Sequence, residues 1–399
     1  MQPNDKMTAT ELRGSLSLAS VLFLRMLGLF LILPVFALYA RTLTESTPTL
    51  IGLAFGIYGL TQASLQIPFG MLSDKLGRKP VIFAGLLIFA VGSLLASQAD
   101  SIWVMILGRA LQGAGAISAA LMALAADLTR EQQRTKAMAL IGISIGFAFS
   151  LAFIVGPLLD ALIGVSGIFI FSAILAVLAM IVLYFLVPTP RLSSFHSDAE
   201  VSLAMLESVL KDHKLVKLNL GIFILHTVLM SNFIVVPSAI QDYAGLASAQ
   251  HWQIYLPVLL ASVAFMAPAI IFGERTNTSG SFFKGAILML VVSQMGYFFW
   301  HSTIMALALM LLVFFTAFNY LEASLPSLIS TMSSKNSKGT ALGVYASSQF
   351  LGTFTGGLIG GIIHEHFGLS AVFIFGGIMA LVWFFITMLP TNEPLRNKY

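Results

Sequence analysis

No cysteine occurs in the 399 residues, which excludes a disulfide framework, a thiol nucleophile and thiolate-bound metal. Charge is nearly as scarce: Asp, Glu, Lys and Arg make up 10% of the chain, against about 25% in ordinary globular domains. So few charges cannot cover a chain of this length against water, and with 58% apolar residues a lipid bilayer must be its main solvent. The alternating polarity of a transmembrane barrel strand is missing as well, because the apolar runs are long and continuous. No GxxxxGK[ST] loop is present, so ATP is not expected to energise any activity. His364, Glu365 and His366 are consecutive in a predicted outer loop and lack the i, i+4 geometry of a helical zinc site. No enzyme constellation, metal or cofactor is therefore expected. The net charge of +4 comes from basic residues scattered between apolar runs, not from a surface stripe, so nucleic acid is not an expected partner.

What the sequence has is length in apolar runs. A span needs about 20 apolar residues. Runs of that size fall near residues 16 to 40, 50 to 71, 79 to 97, 102 to 126, 136 to 161 and 167 to 187. Six more lie near 216 to 238, 252 to 273, 281 to 300, 303 to 326, 339 to 363 and 368 to 389. No small-residue cleavage site follows the first run, which reads as a retained span. With the amino terminus in the cytoplasm, 18 of the 21 Lys and Arg residues fall in cytoplasmic segments and only Arg41 in an outer loop. Under the positive-inside rule this bias predicts both termini inside. Single cysteines at Ser101, Ser248 and Ser302 are expected to react with an impermeant thiol reagent from outside, whereas ones at Ser73, Ser193 and Ser337 are not; the reverse pattern would overturn the topology.

Residues 188 to 215 form the longest polar interruption and divide the chain into bundles at 1–187 and 216–399. Within them Leu203, Leu206 and Leu210 recur at helical spacing opposite Glu207 and Lys211, the pattern of a short amphipathic helix or of a solvated linker. The halves repeat each other weakly. GVSGIFIFSAI from Gly164 returns as GLSAVFIFGGI from Gly368, and Lys136, Ala139 and Leu140 return as Lys338, Ala341 and Leu342. Such duplication predicts a transporter whose binding site lies between the halves near the membrane midplane.

The sharpest motif is GMLSDKLGRKPVI, from Gly70 to Ile82, between spans two and three. Gly70 and Gly77 allow close helix approach and a tight turn, and Asp74 can accept from backbone amides or from Arg78. Its spacing resembles the loop signature of the major facilitator superfamily, G-x-L-x-D-R-x-G-R-K-x, with Lys75 in place of the first basic residue. The resemblance implies an all-α membrane protein with twelve transmembrane helices in two pseudo-symmetric six-helix bundles. It also implies a conformational latch built from Gly70, Asp74, Gly77, Arg78 and Lys79, with Asp74 meeting the amino end of span eleven at Gly339 and Thr340. Asp127, at the inner end of span four, is a competing partner for Arg78 or an ordinary helix-end acid.

Span four contains LGRALQGAGAISAA, similar to the superfamily's span-four motif with Arg109, Gln112 and Gly113 in order. A guanidinium inside a span costs several kcal/mol unless it faces the bundle interior, so Arg109 is a functional candidate, the alternative being snorkelling to the outer interface. Arg25, in LRMLGLFLILPVF of span one, offers the same choice between function and an interface anchor. Gly146 and Gly156-Pro157 in span five resemble the Gly-Pro element of proton-driven antiporters and suggest tight packing of a bent helix, although Asp160-Ala161 replaces that pattern's glycine pair. Glu322 in span ten and His226 in span seven are titratable groups within the membrane and candidate proton carriers, against structural roles as hydrogen-bonded core residues. Asn232, Asn319, Tyr320 and Gln349 are candidate cavity contacts or packing groups.

The combined expectation is a monomeric secondary transporter of a bacterial inner membrane, exchanging a small, largely apolar compound for protons. Uptake of a small metabolite and a non-transporting membrane scaffold are the alternatives. The chain ends about ten residues after its last predicted span, so no soluble C-terminal domain is expected.

Overall fold

The computed structural model describes residues 6–189, 203–243, 245–334 and 337–389. Fourteen α-helices run through them: α1 (Ala9–Phe30), α2 (Phe36–Ala40), α3 (Pro48–Leu76), α4 (Arg78–Ser97), α5 (Ile102–Ala114), α6 (Ser118–Asp127) and α7 (Glu131–Phe185), then α8 (Leu203–Lys211), α9 (His213–Asp242), α10 (Trp252–Arg275), α11 (Ser279–Trp300), α12 (Ile304–Met332), α13 (Lys338–Phe367) and α14 (Leu369–Met388). Among the described residues ten stretches are long and apolar enough to cross a membrane. One of them is the 55-residue α7, which contains two predicted spans. Its second arm and the glycine-rich, 30-residue α13 complete twelve membrane-crossing lengths.

The internal repeat has a backbone counterpart. Gly164 joins the two arms of α7 at φ 68° and ψ 170°, and Gly368 joins α13 to α14 at φ 81° and ψ 176°. Only glycine occupies that region without strain, so the glycine that opens each repeated segment is fixed by the turn it makes.

Two predicted spans are broken. Span one stops at Phe30 and resumes as α2 beyond Pro34, whose missing N–H cannot continue the ladder. Span four is interrupted at residues 115–117 between α5 and α6, where Gly115 takes a non-helical φ/ψ of −72° and 53°.

Two compact units emerge. The first comprises Met1–Ser46 and Leu60–Glu200, with α1 and α4 both packed along α7 and α4 against α5. The second comprises Thr47–Gly59 and Val201–Tyr399, with α9 packed along α13, and α11 against α12 and α14. Span two thus contributes its first half to the second unit and its remainder to the first.

The amphipathic segment is helical over Leu203–Lys211 and packs on α9 and α13. Its register differs from the predicted apolar face. Val209 is the buried position, Leu206 is half-buried and Leu210 is exposed, so the face that meets α9 and α13 is centred on Val209. Lys211 pairs with Glu207 on its outer face at 2.5 Å.

Candidate functional site

The loop motif lies in the first unit, where α3 ends and α4 begins. Gly77 is the N-cap of α4 at φ 94° and ψ 149°, a conformation closed to residues with a Cβ. That turn brings Arg78 back over the end of α3. Arg78 pairs with Asp74, donates from Nη1 to Ser73 Oγ at 2.7 Å and reaches Asp127 Oδ2 from Nε at 3.3 Å. Asp127 is the last residue of α6, so the guanidinium ties spans two, three and four together. Lys79 turns the other way. Its ammonium donates to Val187 O at 2.5 Å and Thr189 Oγ1 at 3.2 Å, capping the end of span six, where a cation suits the carbonyl end of the helix dipole. Gly70 stands in ordinary contact range of Ala119, at 3.4 Å from where its Cβ would be. Gly77→Ala is expected to cost about 1–3 kcal/mol through backbone strain, read as a fall in Tm of the purified protein with the helix content unchanged.

Deeper in the same unit lie the two membrane arginines. Neither snorkels: Arg25 is 0% and Arg109 1% exposed. Arg25 Nη2 donates to Gln62 Oε1 at 2.8 Å and to Gly115 O at 2.9 Å, and its guanidinium lies 5.6 Å from the centre of the Phe89 ring. Its cation therefore sits at the carbonyl end of α5, where the span-four break frees backbone acceptors and the helix dipole is negative. Arg109 Nη1 donates to Gln112 Oε1 at 2.6 Å, and Gln112 Nε2 passes the chain on to Ser93 Oγ at 2.8 Å. Gly113 is buried beside them. Gly156 packs span five on span one so tightly that a Cβ would meet Leu31 O, and Pro157 is buried next to it. Gly146 does not share that role: a Cβ there would meet nothing within 4 Å, so the expected packing is confined to the Gly-Pro pair.

The second unit holds the titratable pair. Gln349 on α13 stands between Glu322 on α12 and His226 on α9, its Nε2 at 3.0 Å from Glu322 Oε1 and 2.9 Å from His226 Nε2. An amide nitrogen can only donate, so His226 Nε2 accepts and Nδ1–H faces Ile222 O at 3.3 Å: a neutral imidazole of defined tautomer. His226 Nε2 and Glu322 Oε2 are 3.9 Å apart. Phe318 closes the other side of the imidazole, ring centres 5.8 Å apart.

Of the remaining candidates, Asn319 and Tyr320 are spent between helices. Asn319 Nδ2 donates to Ser262 Oγ at 3.0 Å and the Tyr320 hydroxyl to Ser279 O at 3.3 Å, which makes them packing groups of α12 against α10 and α11. Asn232 is buried on α9, and its amide has no hydrogen-bond partner among the described residues. Gly339 and Thr340 lie in the first turn of α13, and a Cβ on Gly339 would meet open space. No group of three or more metal-ligating side chains occurs among the described residues.

Comparison with known proteins places this geometry in context. The sequence profile described as the Major Facilitator Superfamily matches residues 18–353 and, in a second overlapping match, 221–398. Over 389 residues the chain is 43% identical to the inner membrane transport protein YajR of Escherichia coli K12, covering 98% of this chain and 86% of that protein. It is 28% identical over 398 residues to multidrug resistance protein 2 of Bacillus subtilis, with 93% of each chain covered. Among solved structures, a bacterial homologue of the human lysosomal transporter Spinster superposes with a TM-score of 0.77 at 13% identity over 96% of this chain and 97% of that one.

Proposed function

We propose that this chain, which belongs to the Major Facilitator Superfamily, is a proton-coupled efflux antiporter of small, largely apolar compounds in a bacterial inner membrane, with both termini in the cytoplasm. The observation that carries the coupling is the Glu322–Gln349–His226 cluster: a carboxyl and an imidazole inside the membrane, 3.9 Å apart and held by one amide. Ionisable groups at that depth are expensive and are kept where a charge or proton must pass. Glu322 takes the proton, His226 serves in series, and Arg109 and Arg25 fix a positive potential in the other unit. Substrate contacts are assigned to Gln349 and Asn232; protons and the bilayer are the other partners, and the working unit is a monomer.

Alternating access is latched through Asp74. Its pairing with Arg78, which also holds Asp127, is one state, and its approach to the amino end of α13 at Gly339 and Thr340 is the other, where the helix dipole favours a carboxylate. Named multidrug resistance proteins among the relatives support efflux over uptake. A proton falling through 100 mV releases about 2.3 kcal/mol, enough for nearly fiftyfold accumulation across the membrane. Thermal-shift screening of the purified protein with lipophilic dyes is the first test: a dye that binds the native state should raise Tm as its concentration passes its Kd. No shift with any dye, alongside a shift with a polar metabolite, would refute the apolar-substrate reading.

A further inference from the structure

In the second unit the first half of span two lies backbone to backbone on α13. A Cβ on Gly52 would fall on Gly357 O and one on Gly59 on Phe350 O. From the other helix, a Cβ on Gly361 would stand 2.5 Å from Pro48 O. A Cβ on Gly56 would come within 2.6 Å of Phe354 O. Tyr58 and Phe350 meet edge to face at 6.2 Å. Glycine surfaces give close van der Waals fit but carry no apolar side chains, so they can part without exposing a large hydrophobic face. Such a contact needs a separate element to hold it shut.

That element stands at the end of the interface. Span two starts with Thr47 and Pro48, and the Thr47 hydroxyl accepts from Leu50 N at 3.3 Å. The next free amide, Thr49 N, donates to Glu365 Oε2 at 2.9 Å, from 316 residues further along the chain. Thr49, through its side chain and its backbone amide, and to a lesser degree Thr47 hold that carboxylate below the ordinary carboxylate range, so it stays ionised at neutral and mildly acidic pH. A charge-assisted bond onto a helix amino end combines hydrogen bonding with the dipole.

We propose that Glu365 is a positioning residue of the transport cycle: its carboxylate clamps the first turn of span two onto span eleven, and release of that clamp lets residues 47–59 leave the glycine face of α13. The proposal rests on the transporter reading above. The acids and bases near this contact are Asp242 on α9, His364 and His366 on α13 itself, Glu45 two residues before Thr47, and Tyr58 within residues 47–59; α14 carries none.

The test uses the natural absence of cysteine. Spin labels at Leu50→Cys and at Phe367→Cys, a position 75% exposed, report the span two–span eleven distance by double electron–electron resonance in nanodiscs. At pH 7.5 the parent is expected to show a dominant short population with a minor separated one. Glu365→Ala should raise the separated fraction about two- to fivefold, the value of an exposed charge at a helix end, and Glu365→Gln, which keeps an acceptor oxygen, should lie between. Because a depressed carboxyl loses its contact only as pH falls, the parent should separate only below the ordinary carboxylate range, and Glu365→Ala should show no such step. An unchanged distribution in Glu365→Ala overturns the proposal. So does a parent step near neutral pH, or an acid step that survives Glu365→Ala. Size-exclusion profiles confirm folding, and no substrate enters the measurement, so its outcome is separate from that of the proton-coupling reading.

Discussion

Glu322→Gln is expected to bind a lipophilic dye as the parent does and to lose gradient-driven transport, leaving at most energy-independent exchange. The substitution keeps shape and hydrogen-bonding capacity but fixes the neutral state. Gln349 would still meet an acceptor oxygen at this position, as it meets Glu322 Oε1 at 3.0 Å now, so the local structure should survive. What disappears is the only acid in the cluster. His226→Gln should have a smaller effect, because the imidazole already donates to Ile222 O and accepts from Gln349 as a neutral ring. Gln349→Leu removes the bridge and is expected to fall between the two. Dye binding by fluorescence and flux in proteoliposomes separate these outcomes; full gradient-driven transport by Glu322→Gln would remove the residue from the mechanism.

Asp74→Asn is expected to abolish most transport while leaving fold and expression intact. The geometry makes this a sharp test of the latch. If Asp74 served only to neutralise Arg78, its charge would be dispensable, since Arg78 keeps Asp127 at 3.3 Å and Ser73 at 2.7 Å. A collapse of transport therefore points to a second use of the same carboxylate, at the amino end of α13. Parent-like transport at normal expression would reduce the loop to a structural tie. Asp127→Asn, which leaves the Asp74–Arg78 pair in place, is the matching control and should transport at an intermediate rate.

The sequence made the spans legible because they follow from local chemistry: a run of about 20 apolar residues has one stable solution in lipid. The loop motif's spacing marked Gly77 as a turn, whereas Gly164 and Gly368 stood out only as the first residues of a repeat, and the backbone shows that they too are turns. The partners of the buried charges were not legible. Arg25 is held by Gln62, 37 positions away, and by the carbonyl of Gly115, 90 positions away at a helix break that no composition signal marked. Gln349 looked like any polar cavity residue until α13 placed it between Glu322 and His226. Lys79 reads as part of the loop motif, yet its ammonium caps span six, 108 positions further on. Asn319 and Tyr320, offered as cavity contacts or packing groups, have polar atoms bonded to neighbouring helices, as polar atoms inside a bundle often are. Glu365, read with its histidine neighbours only as a triple without metal geometry, bonds the start of span two.

The claim on which the account turns is that movement of a small apolar compound and movement of protons are one process. Purified protein in liposomes carrying a pH-sensitive dye inside, with no pH gradient imposed, measures this directly when a concentration gradient of a lipophilic dye is applied. Antiport predicts that dye flow drives protons the opposite way, that the internal pH changes in proportion to dye moved, and that Glu322→Gln liposomes move no protons. Dye flux through the parent protein with no change in internal pH, at a rate indifferent to a proton ionophore, would contradict it.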